Sequence, residues 1–288
     1  MALYYLLLSI IFSTFINLIF RVFTVFKVHK FQAIVVNYLA CFLIGFFLSD
    51  YYEFTDNLNS NWFGYCLLLG CLFVAIFLSM AKTTDKYGVS VNAVCAKMSV
   101  VIPVIFAYFY MDESISYLFV LGLILSLLSI YLISKKEGLN ISGSYAYLPV
   151  IVFVGSGVID TALKLLQSSF SEVVPLSVLS YSIFLGAFTV GFILYFFMNR
   201  FSLKSWKFRN IGAGILLGIP NYFSIYFLLL AIREYGDQSA FVFGFNNIGI
   251  VLLSTLLSVV FFHEKLSTLN KIGILVSIVS ITIIAYAS

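Results

Sequence analysis

Four charged side chains stand where this chain has least room for them. Lys97 lies in Ala-Lys-Met-Ser, near the middle of an apolar run from 89 to 111. Asp160 and Lys164 are four residues apart in a second run, 147–169, and Arg21 lies toward the end of a third, 3–26. A charge at the centre of a bilayer costs roughly 2.5–3.5 kcal/mol on insertion scales, so it needs a partner, a wet cavity or a solute. Lys97 is too deep to reach the interface and is expected to hold an anionic group, a carboxylate or a phosphate. The competing reading pairs it with a buried acid for packing. Asp160 and Lys164 share one helix face, because residues four apart are neighbours on a helix. Either they form an intrahelical ion pair, or Asp160 titrates or binds a coupling cation. Lys164 and Arg21 are near enough to span ends to extend their heads to the interface.

Polar uncharged groups add to the set. Asn17 stands four before Arg21. Asn221-Tyr222 follow Gly218 and Pro220. That proline removes a backbone donor and is expected to kink its helix, freeing carbonyls for a solute. Asn246-Asn247 lie between Gly244 and Gly249. The runs that hold Lys97 and Asn246 are both expected to be interrupted, and paired interruptions point to a transport site. The candidate solute-binding set is Lys97, Asp160, Asn17, Asn221, Tyr222, Asn246, Asn247 and Lys164. For the asparagines the competing role is interhelical hydrogen bonding, about 0.6 kcal/mol on average.

Other chemistries lack their residues. No Gly-rich Lys-Ser/Thr motif supports nucleotide binding, and no cofactor is implied. His29 and His263 fall in polar breaks without a cluster of metal ligands. Cys41, Cys66, Cys71 and Cys95 all lie in apolar runs, as small buried hydrophobes do. No Ser-His-Asp arrangement can be placed, so an enzyme is not expected.

The elements that position these groups must be membrane spans. Of the 288 residues 62% are hydrophobic and only 10% charged. A soluble domain carries about 25% charged residues, so this chain lacks the groups to cover a water-facing surface. With a ruler of about 20 apolar residues per span, ten spans emerge: 3–26, 31–49, 62–81, 89–111, 116–134, 147–169, 175–198, 210–232, 239–262 and 269–287. The first has no basic residue before it and no cleavage motif after it, and is read as a retained span. The breaks are too short to hold a soluble domain.

The second half repeats the first. Asn17 and Arg21 match Asp160 and Lys164, and Asn37-Tyr38 match Ser180-Tyr181. Gly70 and Tyr87-Gly88 match Gly218 and Tyr235-Gly236. Glu113, Ser116, Gly122, Ser126 and Ser129 match Glu264, Ser267, Gly273, Ser277 and Ser280 at identical spacings. Each half, 1–137 and 145–288, holds five spans. An odd repeat enters the membrane from opposite sides, so the expected fold is an all-α polytopic membrane protein, ten transmembrane helices as two inverted five-helix repeats. Secondary transporters with this plan bind solute near the midplane between the repeats. Gly122 with Ser126, Gly273 with Ser277, and Gly214 with Gly218 are expected to let helices approach closely.

With these motifs the chain resembles the drug/metabolite transporter superfamily, in particular its ten-span EamA-like branch. The carrying features are the two half-terminal motifs and Pro103. Ser254 stands in the second half where Pro103 stands in the first, and Asn37 replaces an Arg that many relatives have. The resemblance implies alternating-access transport of a small metabolite, and both termini inside the cell.

Loop charges imply the opposite orientation. The odd-numbered breaks hold Lys27, Lys30, Lys82, Lys86, Lys135, Lys136, Arg200, Lys204, Lys207, Arg209, Lys265 and Lys271; the even ones hold only Arg233. Cytoplasmic loops carry the basic excess, which places the termini outside, in a multi-pass protein of a cell (inner) membrane. The partners expected are the lipid bilayer, a small polar solute bearing a carboxylate or phosphate, amino acids foremost, and a coupling proton or cation. Nucleic acid is not expected. Two other readings are an exporter of cationic or aromatic drugs with Asp160 as the acid, and, from another class, a membrane-embedded enzyme or structural membrane subunit.

Overall fold

A computed structural model describes residues 1–49, 61–87, 89–113, 115–134, 145, 147–198, 206–262 and 267–287. Among them every regular element is an α-helix: α1 Ala2–Val25, α2 Lys30–Leu48, α3 Asn61–Tyr87, α4 Val89–Met98, α5 Val101–Tyr110, α6 Tyr117–Ser134, α7 Tyr147–Phe170, α8 Leu176–Met198, α9 Phe208–Tyr235, α10 Ser239–Phe262 and α11 Thr268–Ala287. Seven helices among the described residues are long and apolar enough to cross a membrane. Cys95–Tyr110, Tyr117–Leu132 and Thr268–Ile284 are shorter apolar helices. The protein is thus a multi-pass helical membrane protein. Without water in the bilayer core, helices keep every backbone donor paired within one segment.

The helix packing forms matched pairs. α2 packs on α9 as α3 packs on α8; α1 packs on α9 as α3 packs on α7; α1 packs on α10 as α4 packs on α7; and α6 packs on α11. Small residues make the closest seams. A Cβ on Gly214 would meet the Ala33 carbonyl of α2 at 2.7 Å, and one on Gly218 would meet the Asn37 carbonyl at 3.0 Å. On α11, Ser280 donates to the Gly122 carbonyl of α6 at 2.7 Å. These seams bear out the close approach read from Gly214, Gly218 and Gly122.

The half-terminal motifs have a local explanation. Ser116 Oγ accepts from Phe119 N at 3.1 Å, and Ser267 Oγ accepts from Asn270 N at 3.2 Å. Each is the N-cap of the helix that follows it, α6 or α11.

The run 89–111 is interrupted as expected: α4 ends at Met98 and α5 begins at Val101. Pro103 gives the reason. Its ring clashes with the carbonyl four residues back, Ser99, and it has no N–H to bond it. The Ser99 hydroxyl folds onto the Ala96 carbonyl at 2.7 Å, and Val100 N reaches the Lys97 carbonyl at a long 3.4 Å. The expected interruption of 239–262 is absent: α10 runs unbroken through Asn246-Asn247. Glycines on both sides weaken a helix without removing its donors, and only proline does that. α9 is likewise continuous through Pro220.

Candidate functional site

Lys97 lies in the last turn of α4, just before the break, and Asp160 lies on α7, which packs against α4. The two charges are electrostatic partners across that contact. Among the described residues neither forms an ion pair within 4 Å. Both are surrounded by protein yet keep part of their surface accessible. Partial exposure of a deep charge marks incomplete packing around it.

Asn17 faces the same kind of gap. Leu6, Ile10 and Thr14 form the buried stripe of α1, and Asn17 continues it at helical spacing. It is nevertheless exposed. An inward position without burial means that the neighbouring helices do not close over it.

The gap opens toward one end of the bundle. Along α10, residues 239–251 are all buried except the half-buried Phe245. Among the described side chains of 252–261 none is buried, although they point all round the helix. A helix packed on one face would bury every third or fourth residue. α4 and α5 show the same gradient: Ala96 is the one buried side chain described before Ser99, whereas Ser99, Val100, Pro103, Val104 and Ala107 are buried beyond it. For these helices the end where α5 stops and α10 starts is the tight one and the opposite end the loose one; α2 runs against this, buried over residues 32–38 at its start and exposed at Phe46, Phe47 and Leu48.

A latch holds the tight end. Asp112 adopts φ 52, a left-handed turn that short polar side chains tolerate, and the chain turns Glu113 back into the bundle. Glu113 accepts from Ser239 N at 3.2 Å, from Ala240 N at 3.1 Å and from the Ser239 hydroxyl. A carboxylate on the first free amides of a helix satisfies them and complements the helix dipole. Lys164 lies 3.7 Å from Glu113 and donates to the Gly236 carbonyl at 3.0 Å. Glu113 is 3% exposed and Lys164 6%, so the pair is desolvated and joins α7, the α5–α6 turn and α10. Lys164 therefore neither pairs with Asp160 nor extends to the interface; its partner is Glu113.

The fold is a known one. A crystal structure of a protein 16% identical superposes with a TM-score of 0.78, covering 99% of this chain and 97% of that one. A protein of Haemophilus influenzae (strain ATCC 51907 / DSM 11121 / KW20 / Rd), itself described as uncharacterized, is 29% identical over 266 residues, 88% of each chain. No protein-family model matches the chain.

The remaining candidates lie in packing contacts. Asn221 Nδ2 donates to Asn37 Oδ1 at 3.1 Å, tying α9 to α2. Tyr222 is 1% exposed and stacks on Tyr226 with ring centroids 5.8 Å apart. Asn246 Oδ1 accepts from the Ser9 hydroxyl at 3.1 Å, and Asn247 is buried beside it. Of the eight, the structure brings Lys97 and Asp160 together, leaves Asn17 facing the gap, gives Lys164 to the latch, and buries the rest. Glu113 was readable only as half of a repeated motif. The side chain of Arg21 and all of Glu264 lie outside the described residues.

Proposed function

We propose that the protein is a secondary transporter of a small solute bearing a carboxylate or phosphate, with a zwitterion such as an amino acid as the best match. The observation that carries this is the Lys97–Asp160 pair: opposite charges, deep in the bundle, accessible, and not in contact. A pair built for packing would close to hydrogen-bonding distance, because two separated charges leave their desolvation uncompensated. A solute carboxylate on Lys97 and an ammonium on Asp160 would complete it. Asn17 would contact the solute from α1.

Alternating access between two inverted five-helix repeats accounts for the rest. Exchanging each span with its repeat partner maps every main helix pairing onto another or onto itself, as a two-fold axis in the membrane plane would. The Glu113 latch closes one end while the gap opens at the other. Glu264 holds in the second repeat the place Glu113 holds in the first, and would latch the opposite end in the other state. The loop charges support a reading with the Lys27 end in the cytoplasm. The resemblance to the EamA-like branch supports the transport reading and would place the termini inside instead.

A thermal-stability screen of purified protein against metabolite classes tests the assignment, since a ligand at 100 times its Kd stabilises by about 2.7 kcal/mol. Carboxylate or phosphate solutes should raise the midpoint of the wild type and not of Lys97→Ala. Stabilisation by cationic aromatic compounds that is lost in Asp160→Asn would replace this reading with drug export.

A further inference from the structure

The α1–α2 turn, the end of α8 and the start of α9 line an open pocket of about 540 Å³ at their end of the bundle, apart from Lys97. Its wall holds Lys27, His29, Lys207 and Arg209, and no acid. These four are exposed, while its floor is buried and polar: Gln32, Tyr195 and Asn210. The floor is one network. Gln32 Nε2 donates to the Tyr195 hydroxyl at 2.6 Å, Asn210 Nδ2 donates to Gln32 Oε1, and His29 N donates to Asn210 Oδ1 at 3.2 Å. Arg209 donates to the Lys27 carbonyl at 2.9 Å, which fixes the guanidinium at the rim. Among the described residues, no carboxylate pairs with Lys27 or Lys207 within 4 Å.

Two features exceed what a general excess of basic residues at one membrane face requires. One is the amide and phenol floor, which joins three helices and offers neutral hydrogen-bonding groups below the cations. The other is Lys27 itself, at φ 49, where a helix end favours glycine. Val28 N bonds the Phe23 carbonyl at 2.9 Å across this turn. The turn thus holds a side chain that it does not need. Around the rim Phe26, Phe197, Met198 and Phe208 are exposed apolar groups, suited to acyl chains at headgroup depth.

We propose that this pocket binds a phosphate-bearing anion, supplied either by the headgroup of an anionic phospholipid or by a free phosphate compound. Lys27, Lys207 and Arg209 neutralise the phosphate, and the Gln32–Tyr195–Asn210 floor takes the polar remainder. The proposal stands apart from the transport reading, because it involves no residue of the Lys97 site.

Binding is measured by melting of the full chain in neutral detergent with short-chain phosphatidylglycerol, short-chain phosphatidylcholine or inorganic phosphate. Phosphatidylglycerol should raise the midpoint and phosphatidylcholine should not. The apparent affinity should fall about fivefold for each basic residue removed. Lys207→Gln with Arg209→Gln is the first variant. Lys27→Gly is the second: it removes a cation while easing the turn, so its fold should be at least as stable as the wild type. A response to phosphatidylglycerol alone identifies the lipid as the source, and a response to inorganic phosphate as well identifies a free-phosphate site; both support the pocket. An anion response equal in the wild type and both variants, or no response to either anion, overturns it. Lys97→Ala run beside them should keep the response to phosphatidylglycerol.

Discussion

Two stretches of the chain that the proposed repeat pairs, α4–α5 and α10, are both packed tightly toward the end where α5 stops and α10 starts, and differ at one backbone position. Pro103 and Ser254 each stand ten residues before the acid of their half. The proline breaks its span; the serine lets α10 continue, its hydroxyl donating to the Val251 carbonyl at 3.1 Å. Lys97 lies in the last turn of the helix before the break, and its counterpart at the same spacing in α10 is Ile248, which is buried. The broken span thus carries a deep charge and the continuous one carries a hydrophobe. In the proposed repeat the shared scaffold supplies the frame, and the departure from repetition marks the proposed site.

The comparison can be broken from several sides. The largest effect is expected at the latch, which tightens the same end of both stretches. Glu113→Ala leaves Lys164 buried without its partner and should cost about 3–5 kcal/mol in denaturant unfolding. Adding Lys164→Met should recover most of that loss. A single variant as stable as the wild type would remove the latch from the account.

Next comes the proline itself. Ser254→Pro should cost about 3 kcal/mol, because it removes a bond from the interior of a continuous helix. Pro103→Ser should change stability by less than about 1 kcal/mol and abolish solute-induced stabilisation, since α4 and α5 can then join and carry Lys97 away. Equal costs for the two substitutions would contradict the asymmetry.

Access should follow the gradient. With Asn17→Cys in a background lacking the four native cysteines, a membrane-impermeant thiol reagent should label faster from the Lys27 end. Glu113→Gln should raise labelling from the other end, and Glu264→Gln should not. The smallest effect is expected for Asn221→Ala: loss of one interhelical hydrogen bond to Asn37, about 0.6 kcal/mol in the same unfolding measurement.

The parts of this arrangement differ in how plainly the sequence announced them. Membrane spans follow from run length and the charge deficit, which no soluble fold could tolerate. The small-residue seams at Gly214 and Gly218 were readable because only a missing side chain permits such approach. The break at Pro103 follows from covalent chemistry. The partners were less accessible. Asp160 and Lys164 sit four apart, so local spacing paired them, yet Lys164 finds its partner, Glu113, on another element and Asp160 forms no ion pair among the described residues. Sequence distance says nothing about which helices meet across a bundle. Asn221 and Asn246 looked the same as Asn17 in the sequence, but two are buried in interhelical bonds and one faces a gap. Only the packing of neighbours decides that.

The central claim is that Lys97 anchors a carried solute. Its most direct test is uptake into proteoliposomes of a panel of labelled amino acids, carboxylates and phosphorylated metabolites, with wild type, Lys97→Ala and protein-free vesicles compared. The account predicts that the wild type accelerates uptake of at least one of these solutes, and that Lys97→Ala falls to the protein-free rate while melting as a folded protein. Equal uptake by the wild type and Lys97→Ala would contradict it.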